Sequence, residues 1–253
     1  MPVKVIVISV KGGTGKSFVS VNLAHGLTEY GKVACLDLDI DSPHIPSFLG
    51  ARGYKIDLCE DGMTFVPARL PGIKHDLLVN SMGMIMDMEG KGFLQSGRQH
   101  RQIIKDMINR TKWGKIDYWV VDCPAGSSDA LDVITNLLGG SDGAIIVGIP
   151  NLPESVERCI DICSFRMIKV IGCIINFYGA EHCGERIVCS KCGKPFMPFK
   201  DIGTIEVCKK YGVEVLGTIP MNPDYSDTHI DMNLDAIKNA IKKIREVETL
   251  GKR

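Results

Sequence analysis

The sequence predicts an α/β fold: a doubly wound, mostly parallel sheet. Three observations point to it. Short β-branched runs alternate with longer amphipathic stretches. Several of those runs are apolar almost throughout, as strands covered on both faces must be. The first run ends in a glycine-rich loop that leads straight into a helical pattern. Alternation of this kind implies right-handed crossovers between parallel neighbours.

In chain order, strands are predicted at 3–9, 33–38, 77–80, 118–121, 144–149, 170–175 and 213–219. Helices are predicted at 17–30, 98–111, 128–138, 153–167, 202–211 and 234–247. Two stretches break the rhythm. Residues 82–97 are rich in Met and Gly and read as a mobile connection. Residues 177–200 carry Cys183, Cys189, Cys192, Pro195 and Pro198, and read as an insertion hung on the sheet. With neither an internal repeat nor a low-complexity linker, the simplest division is one domain, 1–253, with the 177–200 insertion inside it.

Composition narrows the function. Apolar residues make up 45% of the 253 residues, enough for a real core, so disorder is excluded for most of the chain. Basic and acidic residues number 30 each, so a strongly basic nucleic-acid-coating surface is not indicated. An aromatic content of 6% argues against a base-stacking platform. No apolar run reaches the ~18–20 residues of a membrane span. The apolar segment 3–10 is too short for a signal-peptide core. These features predict a cytoplasmic protein with neither nucleic acid nor membrane as partner. Its ten cysteines are then buried small hydrophobes or metal ligands, not a disulfide framework.

The loop after the first strand reads Lys11-Gly12-Gly13-Thr14-Gly15-Lys16-Ser17. Glycines let the backbone curl so that successive amides face phosphate oxygens. Lys16 would neutralise the β- and γ-phosphates, and the Ser17 hydroxyl would ligate Mg²⁺. The strict G-x-x-x-x-G-K-[ST] pattern needs glycine at position 10, where this chain has Val10. The second strand ends in Asp37-Leu38-Asp39, and alternation sends both carboxylates to one face beside the loop. Another apolar strand ends in Asp122, the expected form of a Mg²⁺-side aspartate. Gly126 follows in a loop that can approach the γ-phosphate. Asp129 reads as the cap of the helix after it.

The loop resembles the deviant phosphate loop of the MinD/ParA superfamily. That resemblance implies ATP as substrate, with the backbone from Gly12 through Ser17 and the Phe18 amide on its phosphates. Phe18 departs from the superfamily, which usually has Thr or Ser there. The resemblance also implies that Lys11 crosses a homodimer to the partner's ATP, placing positive charge where the transition state gains negative charge. It gives Asp39 the attacking water and Asp37 a supporting place in the Mg²⁺ shell. It gives adenine a contact with the Asn176 side chain and the backbone near Pro220 and Met221.

Cys189-Ser190-Lys191-Cys192-Gly193 is a C-x-x-C-G knuckle, able to grip one metal with two thiolates. No second C-x-x-C follows. Either His182, Cys183 or the remote Cys208 completes a zinc site within one chain, or two chains share a cluster. With this knuckle, 39–46 and 113–129 are similar to the signatures of the Mrp/ApbC family of iron–sulfur cluster carrier ATPases. Ala125, Asp41, Ser42 and Cys183 depart from them. The resemblance implies a slow, dimer-dependent ATPase. Its homodimer holds a bridging 4Fe–4S cluster and passes it to apo iron–sulfur proteins. Two alternatives remain open: a MinD/ParA-type positioning ATPase, and a zinc- or nickel-handling ATPase of the same fold.

Overall fold

The structure, a computed structural model, describes all residues except 52, 53, 55, 62, 63, 86–96, 127–130, 132–135, 137, 138, 226–229 and 251–253. The strands are β1 (Val3–Ile8), β2 (Val33–Asp37), β3 (Asp57–Leu58), β4 (Phe65–Val66), β5 (Ala68–Leu70), β6 (Leu77–Ser81), β7 (Tyr118–Asp122), β8 (Gly143–Gly148), β9 (Val170–His182), β10 (Glu185–Arg186) and β11 (Val215–Met221). The helices are α1 (Lys16–Leu27), α2 (Ile45–Phe48), α3 (Met82–Ile85), α4 (Gly97–Asn109), α5 (Pro153–Phe165), α6 (Thr204–Lys210) and α7 (Asp235–Leu250).

The main sheet runs β10-β9-β8-β1-β7-β2-β6-β5, with β11 also paired to β9. All pairs from β6 to β11 through β1 are parallel; β5 and β10 add antiparallel partners at the two sides. The sheet is doubly wound because its strands are apolar on both faces. In β1, Val3, Val5 and Val7 join the core under α1 and α7. Ile6 and Ile8 join the opposite core, with α4 and α5. The chain therefore starts in mid-sheet and winds outward both ways, and the order reverses beside β1. Ligand crevices of open α/β sheets form at such a point, beyond the C-terminal ends of the strands.

The predicted strands and most of the helices are present, with boundary differences. The predicted strand 170–175 continues as β9 to His182, so the 177–200 segment begins as a prolongation of the sheet instead of a separate insertion. Residues 177–179 are half-buried and Ala180, partner of Met221 on β11, is buried, while Glu181 and His182 pair with β10, so pairing carries the strand past its apolar run. The last strand lies at Val215–Met221, displaced toward the C-terminus of 213–219. The short β3–β4 hairpin, β5, α2 and α3 escape prediction, because elements of two to four residues carry no periodicity. Of the predicted connection 82–97, the first four residues form α3, Gly97 opens α4, and 86–96 lie outside the described residues. Of the predicted helix 128–138, only Leu131 and Asn136 are described. Asp129, its proposed cap, lies outside them.

Candidate functional site

The loop between β1 and α1 folds as its glycines require. Gly13 and Gly15 sit at φ 75 and φ 88, left-handed angles that side chains resist. Gly15 is also close-packed: a Cβ there would lie 2.1 Å from the Asn176 amide nitrogen. That amide, at the end of the apolar part of β9, donates to the Thr14 carbonyl at 2.9 Å. Its oxygen accepts from the Phe177 N–H at 2.9 Å. Asn176, expected from the resemblance to read adenine, therefore first holds the phosphate loop in shape. Lys16 is buried at 6% exposure, whereas Lys11, Gly12 and Gly13 are exposed. The Thr14 hydroxyl is buried without a hydrogen-bond partner, a donor left for a phosphate oxygen.

Parallel register lines up the carboxylates. Asp37 on β2 is the partner of Asp122 on β7 and of Ser81 on β6. Both aspartates are fully buried. Asp122 accepts from the Ser17 hydroxyl at 2.6 Å and from Ser20 at 3.1 Å. Asp37 accepts from the Ser81 hydroxyl at 2.8 Å and from the N–H groups of Asp39 and Ile45 at 3.2 and 3.3 Å. Burial and the neighbouring Asp122 charge push Asp37 well above the usual carboxylate range. Burial lifts Asp122 to about 6, against the pull of the Lys16 ammonium and the two serine hydroxyls. Asp39 lies just beyond the end of β2, where strand alternation no longer governs its direction. Burial raises its pKa too, and the Lys16 charge opposes the rise. Its carboxylate accepts from the Ser42 N–H at 3.3 Å. The buried Asp122 carboxylate, joined to the Ser17 hydroxyl and facing the Lys16 ammonium, is a pair of oxygens whose charge a divalent cation would relieve.

The loop after β7 meets the same site. The Gly126 N–H donates to the Ser9 carbonyl at 3.4 Å, and a Cβ on Gly126 would lie 3.3 Å from the Val10 carbonyl oxygen. Its φ of 69 again needs glycine. On the other side, Pro220 and Met221 end β11, and Tyr225 closes a turn by donating its N–H to the Asn222 carbonyl at 3.0 Å. Phe18, in the first turn of α1, is buried and stacks on Tyr225 at 5.2 Å between ring centroids. Sequence reasoning misses Ser20, Ser81 and the Phe18–Tyr225 stack. Only the sheet register brings Ser81 to Asp37, though a serine one turn past Ser17 on a helix is a legible sign for Ser20.

The cysteine pair stands apart, on an arm carried by the far end of β9. β10 turns back antiparallel on Glu181 and His182, and Val188 bridges Pro195. The knuckle closes through the Gly193 N–H, which donates to the Cys189 carbonyl at 2.8 Å, with Gly193 at φ 67. Cys189 and Cys192 are exposed. Backbone N–H groups at Lys191 and Cys192, then the Cys192 thiol, hold the Cys189 thiol below its ordinary pKa. A thiolate is the form that ligates metal. Among the described residues no group of three or more His, Cys, Asp or Glu is placed to hold a metal ion. Of the same-chain ligands considered for zinc, the His182 ring lies 4.0 Å from the Asp224 carboxylate. Cys208 is buried in the core with Cys173. Cys183 is exposed at φ 52. Cys35, Cys123, Cys159, Cys163 and Cys173 are buried as core residues. No described helix is long and apolar enough to cross a membrane.

The chain was compared with known proteins. The family model described as ParA, NUBPL iron-transfer P-loop NTPase, matches residues 1–249. A Culex quinquefasciatus protein named cytosolic Fe-S cluster assembly factor NUBP2 homolog is 33% identical over 224 residues, covering 87% of this chain and 83% of its own. The iron-sulfur cluster carrier protein of Saccharolobus solfataricus is 30% identical over 229 residues, covering 89% and 73%. Among solved structures, a nucleotide-binding protein from Archaeoglobus fulgidus in complex with ADP matches 96% of this chain and 87% of its own. Its TM-score is 0.65 and its identity 24%. The septum site-determining protein MinD from Pyrococcus horikoshii, complexed with Mg-ADP, covers 99% and 98% with TM-score 0.61 and identity 20%. These two likenesses concern the fold.

Proposed function

Because this chain belongs to the ParA/NUBPL family of iron-transfer phosphate-loop NTPases, the group its Mrp/ApbC-like motifs indicate, we propose that it is a cytosolic, ATP-hydrolysing carrier of iron–sulfur clusters. Two copies hold one 4Fe–4S cluster between their Cys189 and Cys192 pairs and deliver it to apo-proteins. The observation that carries this reading is the exposed C-x-x-C pair, two thiols short of a four-ligand site. A two-fold axis supplies the missing pair by symmetry, which an all-protein zinc site within one chain would have to find among residues elsewhere.

At the other end of the molecule the residues fit Mg²⁺ and ATP. The unpartnered Thr14 hydroxyl and the loop amides suit phosphate oxygens, and Ser17, Asp122 and Asp37 suit the metal. Mg²⁺ when bound would neutralise charge on the β- and γ-phosphates. Lys16 neutralises the same oxygens from the loop side. Asp39, held by the Ser42 N–H, orients the attacking water. Lys11 is exposed at the start of the loop, suited to reach a facing copy's phosphates. Hydrolysis is slow until that copy is in place.

The test is anaerobic reconstitution with iron and sulfide, followed by metal analysis, a visible spectrum and molecular mass. About four iron and four sulfide per dimer are expected, lost in Cys189→Ala or Cys192→Ala and kept in Cys183→Ala. A colourless protein holding one zinc per chain would overturn the proposal.

A further inference from the structure

The turn after β11 touches both ends of the molecule. On one side its Tyr225 ring stacks on Phe18 at 5.2 Å with an interplanar angle of 28°. Phe18 directly follows Ser17 and is itself wedged edge-on against Phe48 at 5.9 Å. A polar chain runs parallel to the stack. The Tyr225 hydroxyl donates to Asp231 at 3.1 Å, the Asp231 N–H donates to the Asn22 side chain at 2.8 Å, and the Asn22 amide donates to the Phe18 carbonyl at 2.9 Å. The turn is therefore clasped to the first two turns of α1 by a ring contact and by hydrogen bonds.

On its other side the same turn meets the arm. Asp224 faces His182 at 4.0 Å, and His182 immediately precedes Cys183 where the arm leaves the sheet. Beyond that contact the arm stands over a cavity of about 840 Å³. Arg186, Lys194 and Met197 line it from the arm, and Tyr225, Asp231 and Leu234 from the body. A packed interface would fix the arm by many contacts at once. Over this cavity the arm is held at its root, by His182 against Asp224, by the Ile187 N–H donating to the Ala180 carbonyl at 2.9 Å and by Phe199 against Phe177 at 6.1 Å between ring centroids.

We propose that Phe18 and Tyr225 are positioning residues that carry the nucleotide state of the phosphate loop to the cysteine arm. This rests on the functional reading above for the nature of the two ends. A nucleotide that orders the start of α1 shifts the Phe18 ring. Tyr225 follows it, Asp224 moves with Tyr225, and the root of the arm at His182 is drawn in or released. The coupling is reciprocal: metal at the arm changes nucleotide affinity by the factor by which nucleotide changes the arm. A small hydroxylated side chain at position 18 could not reach Tyr225, so the link belongs to this chain's own choice of phenylalanine.

The test reads thiol reactivity and needs no cluster. The full chain, metal-free and reduced, is alkylated with iodoacetamide, and each cysteine is followed by mass spectrometry. Rates are compared without nucleotide and with saturating Mg²⁺ and a non-hydrolysable ATP analogue. Cys59, near the opposite edge of the sheet, is the internal control. In the wild type the rates at Cys189 and Cys192 should change about fivefold or more, the lower range of allosteric coupling, with Cys59 unchanged. Tyr225→Phe keeps the ring and should keep the change. Tyr225→Leu and Phe18→Leu should reduce it below about twofold. His182→Gln, remote from the phosphates, should reduce it with the analogue still bound to saturation. A wild type whose arm thiols ignore the nucleotide overturns the link, and so does a full response in His182→Gln and Tyr225→Leu. Thiols that respond in a protein that never takes up iron would retain the link and sink the cluster reading. A protein that binds its cluster with indifferent thiols would do the reverse.

Discussion

Asp122 offers a measurement on the nucleotide-free protein that reads its buried charge together with the relief its removal gives Asp37. Burial lifts its pKa from 3.8 to about 6. At ~1.4 kcal/mol for each pH unit, holding this carboxylate ionised in the folded chain costs ~3 kcal/mol. Below pH ~4 the group is protonated in both states and nothing is lost. Between pH ~4 and ~6 the unfolded chain releases its proton first, so the unfolded state binds fewer protons and stability falls as pH rises. Above ~6 the full cost is in place. Asp122→Asn removes the charge and nearly keeps the shape: one of the Ser17 and Ser20 hydroxyls goes on donating to the amide oxygen and the other turns to accept from the NH2. The variant should match the wild type near pH 4 and exceed it above pH 7 by up to ~3 kcal/mol. For a chain of this size that is a Tm gap of ~6–12 °C. Thermal unfolding in EDTA across pH 4–8 measures it. Mg²⁺ with nucleotide should then stabilise the wild type and fail to stabilise the variant. A gap that does not depend on pH, or a variant less stable at pH 7.5, would refute the assignment of Asp122 as a strained carboxylate awaiting a cation.

The same geometry sets three further outcomes. Lys16→Ala removes the buried ammonium from the loop, and calorimetry should find ATP affinity at least ~100-fold weaker. Asp39→Ala should bind ATP like the wild type but turn it over ~10²–10⁴-fold more slowly, and phosphate release under single-turnover conditions checks this. Gly15→Ala forces a side chain into a left-handed conformation and against the Asn176 amide, so it should cost ~1–3 kcal/mol and weaken nucleotide binding. Denaturant unfolding beside nucleotide titration would expose an innocuous substitution.

Much of the site is legible in the sequence because it rests on local rules. The Lys11–Ser17 loop announces itself by glycine spacing between an apolar run and a helix, and the structure folds it as expected. Asp37 and Asp122 stand at strand ends, which the apolar runs mark. Their pairing is a matter of register between β2 and β7, which lie some 80 residues apart in the chain, and no local pattern encodes it. The same holds for Ser81. Asn176 illustrates a different gap: its position ends the apolar run, but its amide reaches the Thr14 carbonyl 162 residues away in the chain, a contact no local pattern encodes. The arm reads as an insertion in the sequence because 177–182 lack the apolar alternation of a core strand. Pairing with β11 and β10 supplies the order that composition does not.

The extension of β9 has a structural consequence. It is a single strand of 13 residues that serves both ends of the molecule. Its buried half holds the phosphate loop through Asn176, and six residues further on it presents His182 and the cysteine turn. On the proposed function, the cargo site is placed by extending one strand past the apolar core and pairing the extension with its neighbours. The register shift between Ile219 and Met221 on β11, opposite Asn176 and Ala180, marks where the extension begins. Irregularities of this kind bend a strand and re-aim the residues beyond the bend. Here the bend falls between the residue that grips the phosphate loop and those that carry the arm, which is where a change at one end would have to pass to reach the other.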